Sequence, residues 1–173
     1  MKKKLLSGLA LAAAAAVVLI VASPSYRQGE PSLAGSPAPD FAFELNGNPA
    51  RLADLRSKVV VLNFWATWCP PCVAEMASLN RLHSQLAPQG GMVLGVSVDE
   101  DGAAYEKFLR ERQIIFPTYR DPSKKISSRY GTFMYPETYV INRDGRIARK
   151  IIGPQNWDSA ELIGYLQTLL SSK

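Results

Sequence analysis

Cys69 and Cys72 are the only two cysteines in the chain, and they are separated by Pro70 and Pro71. Four chemistries suit a pair so spaced. A structural staple normally joins distant segments, and a loop this short restrains little of the unfolded chain. A zinc site needs about four nitrogen or sulfur ligands, whereas the chain offers two cysteines and one histidine, His83. Covalent haem attachment requires a histidine directly after the second cysteine, and Val73 stands there. What remains is a dithiol that cycles with its own disulfide and needs neither a metal nor an organic cofactor.

The neighbouring residues say how such a pair would work. Cys69 closes an apolar run and opens a helical pattern, which places its sulfur, expected to be exposed, at the positive end of the helix dipole. The thiolate favoured there attacks a partner's disulfide and forms a mixed disulfide, which Cys72, one turn on, resolves. Pro70 and Pro71 occupy first-turn positions where a missing N–H costs no helical bond. They leave the amides of Cys72 and Val73 to support the sulfur, and no His or Lys lies between the cysteines. A weakly stabilised thiolate makes a less oxidising couple, so the motif leans towards a reductant.

The elements that position the pair follow from periodicity. Residues 59–65 (VVVLNFW) are nearly all apolar and β-branched, as expected of a strand buried on both faces. From Val73 the apolar positions Met76, Leu79, Leu82 and Leu86 recur every three or four residues, one face of a helix. Gly90 and Gly91 end it, and residues 92–98 repeat the buried-strand pattern. Strand, helix, strand is a βαβ crossover with the cysteines at its first junction. A second helix is expected over about 102–112, a short strand at 116–119 and a helical turn within 122–130. Residues 138–142 and 147–152 flank Asp144 and Gly145, a hairpin signal. Leu162, Ile163, Leu166, Leu169 and Leu170 mark a final helix, with Asp158 as expected N-cap and Trp157 stapling against Leu162. Ahead of all this, residues 41–43 and the turn residues 46–48 predict a small hairpin. The fold expected is an α/β, thioredoxin-like one: a central mixed sheet flanked by helices, with an N-terminal β-hairpin extension.

Length and charge bound the remainder. The 173 residues suit one domain and a tether, and 47% apolar content is enough for a core. The net charge is +5, but residues 1–36 hold four cations and one anion, leaving the other 137 residues only +2. That is too little to argue for a nucleic-acid partner. Lys2, Lys3 and Lys4 precede eighteen uncharged, mainly apolar residues, 5–22. At full helical rise the run reaches about 27 Å, enough to cross a bilayer core. An uncleaved anchor over residues 1–22 is favoured over a cleaved signal sequence, and either puts the following chain outside the cytoplasm. Residues 23–36 read as a linker, and 37–173 as the domain.

Residues 61–72 (VLNFWATWCPPC), followed by Glu75, together with the opening Ala38-Pro39-Asp40-Phe41, resemble the membrane-tethered thioredoxins of the TlpA/ResA/CcmG type over about residues 36–170. The resemblance implies reduction of extracytoplasmic disulfides on the periplasmic face. It also implies targets such as the haem-binding cysteines of apocytochrome c and electrons from a membrane thiol reductase; the chain is expected to be a monomer. Pro136 matches the cis-proline loop of that family, which implies a cis Tyr135–Pro136 bond and pairing of the Tyr135 backbone with a substrate strand. Trp68, Pro70 and Pro71 complete the expected substrate surface, while Trp65 is expected to be packing. Pro136-Glu137-Thr138 looks most like the CcmG branch, in which the Glu faces the active site. Glu100 stands where relatives place an acid beneath the dithiol, whereas Asn63 replaces the buried Asp of cytoplasmic thioredoxins. Proton handling at Cys72 is therefore assigned to Glu100, with Glu137 second. His83 and the cations Lys124, Lys125, Arg129, Arg143, Arg146, Arg149 and Lys150 are expected on solvated faces.

Rival functions fit less well. A thiol peroxidase places a Thr three residues before its nucleophile, where this chain has Ala66. A copper chaperone of this fold uses CxxxC with a distal ligand. A disulfide oxidase or isomerase shares the motif, which does not fix the direction of electron flow.

Overall fold

The computed structural model describes residues 33–45 and 47–172. The anchor expected over residues 5–22 lies outside them, and among the described residues no helix is long and apolar enough to cross a membrane. The elements run β1 (Ala42–Leu45), β2 (Asn48–Arg51), β3 (Val59–Trp65), α1 (Pro70–Leu86), β4 (Gly91–Ser97), α2 (Gly102–Glu111), β5 (Thr118–Arg120), α3 (Lys125–Arg129), β6 (Glu137–Ile141), β7 (Ile147–Ile152) and α4 (Ala160–Ser171).

Strands β3 and β4 are buried along their whole length, as the unbroken apolar runs require. They pair in parallel, Val59 with Gly91 through to Trp65 with Ser97. The main sheet has the order β5-β4-β3-β6-β7, with β6 antiparallel to β3 and β7 antiparallel to β6, so it is mixed. Gly95 is required by close packing: a Cβ there would sit 2.9 Å from Trp65 Nε1 and 3.0 Å from the Phe116 ring.

Alternation along β3 divides the core in two. Val59, Val61 and Trp65 pack with Leu79, Leu82 and Leu86 of α1 and with Leu162, Leu166 and Leu170 of α4. Each fully buried leucine contributes about 1.5–3 kcal/mol. Val60, Leu62 and Phe64 pack on the other side with Phe41 and Phe43 of the N-terminal hairpin, Ile126 of α3, Tyr130 and Tyr139. Two-sided covering explains why β3 shows no polar alternation.

Some expectations shift. The short strand falls at Thr118–Arg120 rather than 116–119, because Pro117 has no N–H for a ladder. The last helix is capped by Ser159, whose side chain accepts from Leu162 N, while Asp158 is drawn off to Arg81 at 2.5 Å. His83 is half-buried and accepts a hydrogen bond from the Val93 amide through Nδ1 at 3.2 Å, rather than facing solvent.

Candidate active site

Cys69 is the N-cap of α1, in extended backbone, and its sulfur accepts from the Cys72 amide at 3.3 Å. Pro70 and Pro71 fill the first helical positions, where their fixed φ suits the helix and no donor is lost. Cys69 and Cys72 form a disulfide. Cys72 is fully buried, while Cys69 keeps 5% exposure. The Cys69 sulfur is thus more covered than its place at a helix start implies, but it is the sulfur a partner can reach.

The cover comes from the segment before β6. The Tyr135–Pro136 peptide bond is cis, and the Tyr135 carbonyl oxygen lies 3.6 Å from Cys69 Sγ. Pro136 lacks an N–H, and pairing of β6 with β3 reaches only to Glu137 opposite Phe64. On the other side Trp68, 61% exposed, meets the Tyr135 ring edge-on at 6.2 Å. Trp65 is buried against Tyr105 and Phe108, which makes it packing.

Acids sit differently from the sequence-based expectation. The buried carboxyl on the dithiol side of the sheet belongs to Glu75, one helical turn beyond Cys72 on the buried face of α1. Asn63 Nδ2 donates to its Oε1 at 2.8 Å. The Gln155 amide and Trp157 Nε1 donate to Oε2 at 3.0 and 3.1 Å. Burial raises the Glu75 pKa, and these three hydrogen bonds oppose but do not cancel that effect.

Glu100, expected beneath the dithiol, is exposed and paired with Lys124 at 3.2 Å. Strand β4 ends at Ser97, so Glu100 rides on the loop into α2, at the edge of an open groove with Thr67, Trp68 and Asp101. Glu137 also differs. It points to the opposite face of the sheet from Cys72 and Glu75, where Thr132, Tyr139 and Lys150 bind it. Strand alternation causes this: Thr138, not Glu137, shares the α1 face and contacts Asn63. Lys150, expected on a solvated face, is only 11% exposed at its side chain.

Asp99 emerges only with the structure. It is buried, and its carboxylate accepts from the Thr67 amide at 3.0 Å, from Thr67 Oγ1 at 2.6 Å and from Ser97 Oγ at 2.5 Å. These bonds tie the residues before Trp68 and Cys69 to the end of β4.

A helix-capping disulfide beneath a cis-proline segment, on a mixed sheet with α1 and α4 on one face, defines a thioredoxin-fold thiol–disulfide oxidoreductase. The chain belongs to the AhpC/TSA family, whose model matches residues 34–150. It is similar to the thiol-disulfide oxidoreductase ResA of Bacillus cereus, 36% identical over 136 residues and 78% of each chain. ResA of Geobacillus thermodenitrificans is 39% identical over 120 residues, 69% of each chain. Among solved structures, one described as a thiol:disulfide interchange protein DsbE of Chlorobium tepidum matches with TM-score 0.74 and 28% identity, over 80% of this chain and 98% of that one. A secreted thiol-disulfide isomerase of Corynebacterium glutamicum matches with TM-score 0.69 and 25% identity, over 78% of this chain and 86% of the other.

Proposed function

We propose that this chain reduces protein disulfides outside the cytoplasm, held at the membrane by residues 5–22, with the haem-site cysteines of apocytochrome c among its substrates. The Cys69 thiolate attacks a substrate disulfide; one substrate sulfur leaves as a thiolate and the other joins Cys69. Cys72 then loses its proton, attacks Cys69 Sγ, and releases the second substrate thiolate. The product is the Cys69–Cys72 disulfide, and two electrons have passed to the substrate. A membrane thiol reductase returns the pair to the dithiol. The partners Tyr135, Trp68, Pro70 and Pro71 form the surface against which the substrate segment lies.

The observation that carries the reductive direction is Glu75. Burial disfavours negative charge on this face of α1, as the raised pKa of Glu75 one turn from Cys72 reflects, and an ionised Glu75 adds like-charge repulsion to a thiolate at Cys72. The dithiolate form is then poorly stabilised, which makes the couple a weak oxidant and a good reductant. We assign the Cys72 proton to Glu75, the buried carboxyl one turn along α1, a role that the sequence pattern gave to Glu100 and Glu137. The setting is supported by a relative named a thiol-disulfide oxidoreductase and by a similar solved structure described as a secreted thiol-disulfide isomerase.

The test uses the reduced full-length chain with an oxidised peptide carrying a CxxCH segment. Wild type should reduce the peptide, and Cys72→Ser should accumulate a mixed disulfide on Cys69. A reduced wild-type chain that leaves the peptide oxidised would contradict the proposal.

A further inference from the structure

Lys150, a cation expected in solvent, is only 11% exposed at its side chain and lies against the sheet. It projects from β7, opposite Tyr139 in register. Its Nζ lies 2.5 Å from Glu137 Oε1, and Glu137 itself is fully buried. Burial lowers the Lys150 pKa, but bonding to Glu137 and Tyr139 outweighs this and raises it, so the residue is a cation. A buried ion pair is costly to desolvate, and an apolar pair of the same size would serve stability as well. Its presence points to positioning rather than stability.

What it positions is the segment that covers the dithiol. Thr132 Oγ1 is 3.1 Å from Glu137 Oε1, and the Tyr139 hydroxyl sits between Glu137 at 2.5 Å and the Tyr130 carbonyl at 2.6 Å. Glu137 Oε2 has no hydrogen-bond partner among the described residues, so Oε1 carries the whole clamp. Lys150 Nζ also lies 5.9 Å from the centroid of the Phe133 ring and 5.2 Å from that of Tyr139. Phe133 is 76% exposed and stands two residues before Tyr135, whose carbonyl meets Cys69. One ammonium therefore holds the start of residues 132–135 at two points: the buried hydroxyl of Thr132 through Glu137, and the exposed ring of Phe133 by a cation–π contact.

We propose that Lys150 is a positioning residue for substrate recognition, setting the 132–135 segment through Glu137 and presenting Phe133 to a large apolar side chain beside the substrate's cysteine. The inference rests on the thiol–disulfide exchange class alone, since either direction of exchange uses the same segment.

The experiment measures exchange between the full-length chain and a disulfide peptide with Phe next to one cysteine, alongside alkylation of reduced Cys69 by iodoacetamide. Wild-type turnover in either direction validates the assay independently of the reductive reading. Lys150→Gln should raise KM about 5–10-fold with kcat within about twofold, and Lys150→Arg should recover most of the loss. Phe133→Ala should raise KM similarly, and the double variant should be no worse than either single one, because both remove one coupled contact. Alkylation should be unchanged throughout. Unchanged KM in folded Lys150→Gln, additive effects in the double variant, or a joint fall in kcat and alkylation would each overturn the proposal. Should Lys150→Gln fail to fold, Phe133→Ala still decides: it alters an exposed ring, and an unchanged KM there overturns the proposal.

Discussion

The Cys69 sulfur lies 3.6 Å from the carbonyl oxygen of Tyr135, a residue 66 positions further along the chain. The contact joins the start of α1 to the segment before β6, the two elements that flank β3 at its end. A substrate segment pairing with the Tyr135 backbone is thereby carried past the sulfur it must exchange with. The fold's contribution to the chemistry is this convergence.

Glu75 gives a pH dependence with a defined sign. Its native pKa is raised by burial, so the folded chain holds that proton more tightly than the unfolded one. Its contribution to stability is full below the ordinary value of about 4.5 and is lost as pH rises through the raised native value. Glu75→Gln should flatten that slope in urea unfolding of the oxidised chain, since a turned Asn63 amide can accept from the new NH2. The same variant should slow release of substrate from the mixed disulfide about 10²-fold. An unaltered slope and release rate would remove Glu75 from proton handling.

His83 gives the opposite sign. The Val93 amide donates to its Nδ1, which requires the neutral ring, and burial lowers its pKa. The stabilisation is present above the ordinary imidazole value, about 6.5, and is lost as pH falls from there through the lowered native value. Its size is about 1 kcal/mol or less, because the ring is only half-buried. Thermal unfolding between pH 7.5 and 5 should show this loss in wild type and not in His83→Gln; parallel curves would contradict it.

Asp99 holds the turn that carries Trp68 and Cys69. Asp99→Ala leaves the Thr67 amide and two hydroxyls without their acceptor and should cost about 2–3 kcal/mol in chemical denaturation. Asp99→Asn keeps an acceptor and should cost clearly less. Equal losses in the two variants would mean that the hydrogen bonds to Thr67 and Ser97 do not hold the turn.

Local chemistry made much of this legible in sequence. The apolar run of β3, the three- and four-residue period of α1 and the Asp144-Gly145 turn each signal their element within a few residues. The dithiol was legible for the same reason, since elimination among cysteine chemistries needs only spacing. Glu75 was not. On the helix pattern it is one polar residue beside Met76, and its burial depends on Asn63, 12 residues before it, and Trp157, 82 residues after it. Glu100 stands where relatives place an inner acid, but burial beyond a strand end depends on the path of the loop. Glu137 and Lys150 sit in strands whose facing is fixed by register, and Pro136 shifts which residue opens β6. Charge sequences such as Asp99-Glu100-Asp101 carry no mark of which member turns inward.

The central claim is that the Cys69–Cys72 couple delivers electrons. Its most direct test is the reduction potential of the full-length chain in detergent, equilibrated against dithiothreitol and glutathione buffers and read by thiol labelling. The account predicts a value near or below about −270 mV, in the range of thioredoxin. A value near about −120 mV, that of a strong periplasmic oxidant, would contradict it and make the chain a disulfide donor.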